Sequence, residues 1–261
     1  MGLHYVVAVL TRLAQWSDSH ELTRRLRRRV LATRVVSRAV AGFDRRRLRR
    51  LERAGATDER SKRRWREAPP GPGLTWGVEV SGDPAVEAAE RHGVFGPGRT
   101  ILEVGPGYGR VLRSALAREV EFGRYIGLDL SAENVRHLRA EFDDPRIDIV
   151  HGDVESTSLD EPIDAALSFL TFKHIYPSFR AALENLGRQL RPGGRIVFDL
   201  IEGPRVYFHR DRSTFMREYT RAEVGEIVAA ASLELVALDR VEHAPGRTRM
   251  LVVASKPQTN G

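Results

Sequence analysis

Glycines at positions 105, 107 and 109 follow directly on the apolar run 101–104, which carries a single acid, Glu103. This spacing builds a tight turn between a buried strand and a helix, in which a ligand can approach the main chain and meet the helix's first N–H groups. Glu103 can hold an ammonium group through that turn, or simply orient the turn itself. Asp129, twenty residues past Gly109, is placed to accept hydrogen bonds from both ribose hydroxyls of a nucleoside. Its other reading is an acid capping the helix that begins after Ser131. Asp153, in HGDVES, can accept from an exocyclic adenine amine or serve as a turn aspartate. His174, in TFKHIYPS, has an imidazole able to take a proton near neutrality. Alternatively it fills the start of the next helix or stacks on a base. Tyr176 and Lys173 are weaker neighbours, and His209, with Tyr207 beside it in RVYFHRDR, is a second possible base or acceptor contact. Trp76 and Glu79 lie just past the Gly/Pro-rich stretch 68–77. The tryptophan there either anchors a lid or walls an acceptor pocket. The histidines are scattered and no metal is expected.

These residues need a scaffold that brings strand ends together. From residue 99 the pattern alternates short buried strands (100–104, 125–129, 147–150, 163–169, 195–200) with helices (about 109–119, 132–141, 178–190), which implies a parallel sheet covered on both faces. In such a sheet ligands gather at the carboxyl ends of the strands. Asp83 followed by Pro84 predicts an N-cap and a helix to about residue 92. Thr220 and Glu223 form a capping box opening a helix to about residue 231. Strands at 233–241 and 247–254 are then joined through a type II turn at Pro245-Gly246 as an antiparallel hairpin.

The net charge of +7 is unevenly held: residues 1–66 carry +13 and the rest −6. Within that basic part, apolar residues recur at helical spacing over 21–40, with a second short helix expected at 48–53. The arginine face is solvated, meets an anionic membrane surface or acidic partner through residues 21–53, or contacts nucleic acid; sparse aromatics rank nucleic acid last. Only three lysines stand against 39 arginines. Without cysteine there is no disulfide, thiolate metal site or cysteine nucleophile. The first residues read neither as a signal peptide nor as a membrane span, so a soluble, cytoplasmic protein is expected. The expected organisation is a basic helical extension (1–66), a linker or lid with an entry helix (67–98), and an α/β domain (99–261).

With EVGPGYG, GLDLS, HGDVES, the fourth strand IDAALSFLTFKHI and LRPGGRIVFDL in this order, the chain resembles the class I S-adenosylmethionine-dependent methyltransferases over about residues 99–254. The resemblance implies a Rossmann-like fold with a seven-stranded, mostly parallel sheet whose last strand is inserted antiparallel between the fifth and sixth. It implies S-adenosylmethionine as cofactor, with Glu103 and Gly105 by the methionine part, Asp129 by the ribose, Asp153 and Val154 by the adenine, Phe169 by the fourth strand end, and Gly107, Gly109 and Leu130 as further cofactor contacts. It makes His174 the candidate base facing the transferred methyl, with Trp76, Glu79 and Tyr207 toward the acceptor. The fourth-strand loop lacks the Asn/Asp-Pro-Pro-Tyr turn of amine methyltransferases. The expected activity is methyl transfer to a hydroxyl of a small molecule, a sugar, glycoside or secondary metabolite. The alternatives are carbon or nitrogen methylation on the same scaffold, and an RNA- or membrane-associated protein acting through its basic helices.

Overall fold

The structure is a computed structural model and describes residues 34–53, 57–67, 81–209, 213–246 and 248–258. Strand β1 (Thr100–Val104) is buried along its whole length and pairs in parallel with β2 (Arg124–Asp129) and β4 (Ile163–Ser168). Outside them lie β3 (Ile147–His151) on β2 and β5 (Leu190–Glu202) on β4, again parallel. β9 (Thr248–Ser255) runs antiparallel to β5, and β8 (Glu234–Glu242) antiparallel to β9. The expected insertion of the last strand is therefore present, and Gly246 has the left-handed φ of 72° that the third position of a type II turn requires.

Alternate residues of each strand feed two cores. Leu102, Val104, Ile196 and Phe198 pack with Leu183, Leu186 and Val228 from α6 (Arg180–Gln189) and α7 (Arg221–Ala230). Ile101, Tyr125, Leu167 and Val197 pack on the other face with α3 (Asp83–Arg91), α4 (Arg110–Ala117) and α5 (Ala132–Glu141). Burial on both faces explains why these strands read as continuous apolar runs. The capping box at Thr220 and Glu223 forms as expected. At α3 the cap is Gly82, and Asp83 is the first helical residue, its N–H bonded to Ser81 Oγ at 3.1 Å.

Two features depart from the expected pattern. Beyond the main sheet β5 continues for 13 residues in all, and its end pairs with β7 (Phe215–Tyr219), which forms a hairpin with β6 (Val206–Phe208). These strands are too short for a period-2 pattern to register. In the basic segment one helix, α1 (Arg34–Arg53), covers both the end of the run 21–40 and the short helix expected at 48–53. It stays continuous because Val40, Ala41 and Asp44 are buried on one side, so packing overrides the weak propensity of Gly42. A further helix, α2 (Thr57–Arg66), has no apolar periodicity to announce it. The remainder of 21–40 and the residues Trp76 and Glu79 lie outside the described residues. No helix among the described residues is long and apolar enough to cross a membrane.

Candidate active site

Helices α1 and α2 lie against the segments that follow β3, β4 and β5, through Lys62 at Asp153, Trp65 at His174 and Asp44 at Arg205. Gly105 has φ 69°, and a β-carbon there would stand 2.6 Å from Thr171 Oγ1, so the turn closes against the loop after β4 only with glycine. Gly107, with φ 58°, would meet nothing within 4 Å: its outer side is open. Asp129 ties this turn down. Its Oδ2 accepts from the Gly107 N–H at 3.0 Å, and its Oδ1 accepts from the Ser131 N–H at 2.8 Å and Asn134 Nδ2 at 3.2 Å. Asp129 thus orders the entry to α5, whose cap is Ser131, and it retains acceptor capacity, since two carboxylate oxygens offer about four sites. Burial raises its pKa, against the hydrogen bonds from Ser131 and Gly107.

Glu103 is 2% exposed and accepts from Tyr125 Oη at 2.6 Å. Burial pushes its carboxyl up to about 7, with the Tyr125 bond and the Arg110 charge opposing. Leu130 offers its carbonyl to His151 Nε2 at 3.2 Å, and Val154 is buried. At Asp153, Oδ1 accepts from the Glu155 N–H at 3.0 Å, while Oδ2 lies 2.9 Å from Lys62 Nζ of α2. Phe169 is buried with its ring edge-on to His243, 5.8 Å between centroids.

After β4, a single 3₁₀ turn (Phe172–His174) delivers His174. Its Nδ1 is 2.8 Å from the Phe215 carbonyl on β7. A carbonyl can only accept, so Nδ1 carries the hydrogen and Nε2 the lone pair. Burial first, then the Lys173 charge, hold the imidazole well below its ordinary pKa, and it is neutral at neutral pH. Trp65 of α2 lies over it at 4.6 Å between centroids, and Ser61 Oγ donates to its carbonyl at 3.2 Å. Tyr176 donates to Glu52 of α1 at 2.9 Å and packs on Phe208 and Phe215. Tyr207 is buried under the Arg205 guanidinium and stands edge-on to His209, whose carbonyl accepts from Arg47 at 3.4 Å. Arg205 in turn forms a buried ion pair with Asp44, Nε to Oδ2 2.9 Å. The N-terminal helices therefore roof the residues read as adenine and acceptor contacts. Among the described residues no cluster suited to a metal ion occurs.

Several residues here carry no signal in the sequence that singles them out. Lys62, Trp65 and Asp44 belong to a segment that reads only as a charged face. Asp199 does stand out, as an acid within the apolar run of the fifth strand; its Oδ2 meets His243 Nε2 at 3.0 Å and its Oδ1 accepts from the Leu170 N–H. Burial works to raise the Asp199 pKa, but the His243 bond and the Lys173 charge prevail and lower it.

Residues 102–198 match the family model described as a methyltransferase domain. A fatty-acid O-methyltransferase of Mycolicibacterium smegmatis is 34% identical over 102 residues, 39% of this chain and 36% of the relative. A phthiotriol/phenolphthiotriol dimycocerosates methyltransferase of Mycobacterium tuberculosis is 37% identical over 98 residues, 37% of this chain and 36% of the relative. The chain thus spans about a third of the length of the curated relatives it matches. Among solved structures, the 1,6-didemethyltoxoflavin-N1-methyltransferase of Burkholderia thailandensis, with 1,6-didemethyltoxoflavin and S-adenosylhomocysteine bound, is similar with a TM-score of 0.58 at 24% identity, over 71% of this chain and 82% of that one. The strand order, with β9 inserted antiparallel beside β5, is the fold of the class I S-adenosylmethionine-dependent methyltransferases, and residues 102–198, which match the methyltransferase-domain model, hold its glycine turn and most of its parallel strands.

Proposed function

We propose that the chain is an S-adenosylmethionine-dependent methyltransferase that methylates an oxygen of a small, lipid-like acceptor. The observation that carries the cofactor assignment is Asp129, drawn across the glycine turn to the Gly107 N–H with acceptor capacity left over, beside the open flank of Gly107. Those residues fit a ribose lying on the turn, with Asp153 and Val154 toward an adenine and Glu103 toward an ammonium group. When bound, the cofactor supplies a methyl group on an already activated sulfonium. The protein's share is then to hold the acceptor close and aligned and, for a hydroxyl, to take its proton. His174 is suited to receive that proton, because the Phe215 carbonyl fixes its tautomer and leaves Nε2 as the basic nitrogen. A low proton affinity makes it a weak base, whereas an acceptor carboxylate needs none at all. The relatives named for fatty acids and phthiotriol lipids favour a lipid-like acceptor over the sugar expected from sequence.

Calorimetry with S-adenosylhomocysteine tests the first part. Asp129→Ala is expected to abolish binding, and unchanged affinity refutes the ribose role. Incubation with labelled S-adenosylmethionine and matched long-chain acids, alcohols and glycosides tests the second. A product methylated at nitrogen or carbon, or transfer to the glycosides alone, refutes the acceptor class.

A further inference from the structure

Helix α2 carries Arg60, Arg63, Arg64 and, just past its end, Glu67 at positions i, i+3, i+4 and i+7, which share one face. With Ser213 from the loop between β6 and β7 they line a cleft of about 320 Å³. Arg113, Arg124 and Arg205 elsewhere each meet a carboxylate. Among the described residues no carboxylate forms an ion pair with Arg60, Arg63 or Arg64, although Glu67 stands one turn further along the same cleft. Like charges at these spacings repel one another, and the repulsion is relieved when an anion sits between them. Guanidinium groups suit that role because their planar forks match a carboxylate or phosphate with paired hydrogen bonds.

Both segments that line the cleft also carry contacts to His174. On α2, Ser61 and Trp65, which touch His174, alternate with the three arginines. In the other lining segment, Ser213 lies two residues before Phe215, whose carbonyl holds His174 Nδ1. The geometry points to Arg60, Arg63 and Arg64 as a binding site for an anionic oxygen group, carboxylate or phosphate, carried by the acceptor. This deepens the methyltransferase reading and rests on it for the word acceptor.

The test is equilibrium binding to the full chain of decanoate, decyl phosphate, decanol and inorganic phosphate at submicellar concentration, with and without S-adenosylhomocysteine. The triple variant R60Q/R63Q/R64Q is compared with R45Q/R49Q/R50Q, which removes the same charge from exposed positions of α1, and thermal unfolding checks that both fold. The expected result is binding of decanoate or decyl phosphate that weakens at least about tenfold in the first variant and is unchanged in the second, with S-adenosylhomocysteine affinity unaltered in both. Equal binding of decanol, equal loss in both variants, or inorganic phosphate binding as tightly as decyl phosphate overturns the assignment. So does adhesion to anionic vesicles without binding of the decyl anions. If S-adenosylhomocysteine binds and the decyl anions do not, the arginine site alone falls; if wild-type protein fails to bind S-adenosylhomocysteine, the methyltransferase reading falls with it.

Discussion

Lys62 Nζ lies 2.9 Å from Asp153 Oδ2 and 2.7 Å from Glu155 Oε2, so a cation from the N-terminal helices occupies the carboxylate proposed to meet the adenine amine. Burial lowers the lysine's proton affinity, but the bonds to Glu155 and Asp153 outweigh it and the net shift is upward, so Lys62 is charged throughout the physiological range. Any ligand at Asp153 must share that oxygen or displace the ammonium. Lys62→Met is therefore expected to tighten S-adenosylhomocysteine binding by up to about fivefold, the ceiling set by about 1 kcal/mol for a partly exposed pair. Calorimetry reads it directly, and weaker binding would mean that Lys62 supports the ligand.

The roof formed by α1 and α2 is pinned at its far end by Asp44 and Arg205, whose side chains are 2% and 5% exposed. Removing one partner of a buried pair leaves the other charge uncompensated, at a cost of about 3–5 kcal/mol. Asp44→Ala should lower the melting temperature accordingly and open α1 and α2 to limited proteolysis before the sheet unfolds. A variant that melts and digests like wild type would show that the pair does not hold the roof.

Glu103 supplies a pH dependence. Its folded pKa, about 7, lies above the ordinary 4.5, so between these values the folded chain holds a proton that the unfolded chain has released. Its contribution to stability is complete below about pH 4.5 and is lost as pH rises through 7, a span of about 3 kcal/mol. Glu103→Gln keeps an acceptor for Tyr125 and cannot ionise. Thermal melts between about pH 5 and about pH 8.5 should show the wild type losing stability relative to this variant as pH rises; parallel curves would contradict it.

His174→Ala separates two kinds of acceptor. With a hydroxyl, turnover should fall about 100-fold while S-adenosylhomocysteine affinity is retained. With a long-chain carboxylate, which has no proton to lose, turnover should change little. Product formation by mass spectrometry on matched acid and alcohol substrates decides the matter, and equal losses on both would assign His174 to positioning.

The parallel half of the sheet is legible in the sequence because its strands are apolar runs and three of them lead into residues of distinctive chemistry: Glu103, Asp129, Asp153. The glycine turn is legible because its backbone angles exclude other residues. The roof is not. Lys62 and Asp44 form their contacts with Asp153 and Arg205, 91 and 161 residues away, and a charged helix face gives no local sign of which charge will be buried. His174 is found from its place after a strand, but its working nitrogen depends on Phe215, in a strand of five residues that carries no clear pattern.

The stretch that matches the methyltransferase family model ends at residue 198, three residues before β5 meets β7 at Ile201 and Glu202. The hairpin carries Tyr207, leads into His209 and holds the carbonyl that orients His174. On the proposed reading, most acceptor contacts lie on the hairpin and the helices above it, so exchanging those pieces is expected to change the acceptor while leaving the glycine turn untouched, with Lys62 at Asp153 as the point where the two sites touch.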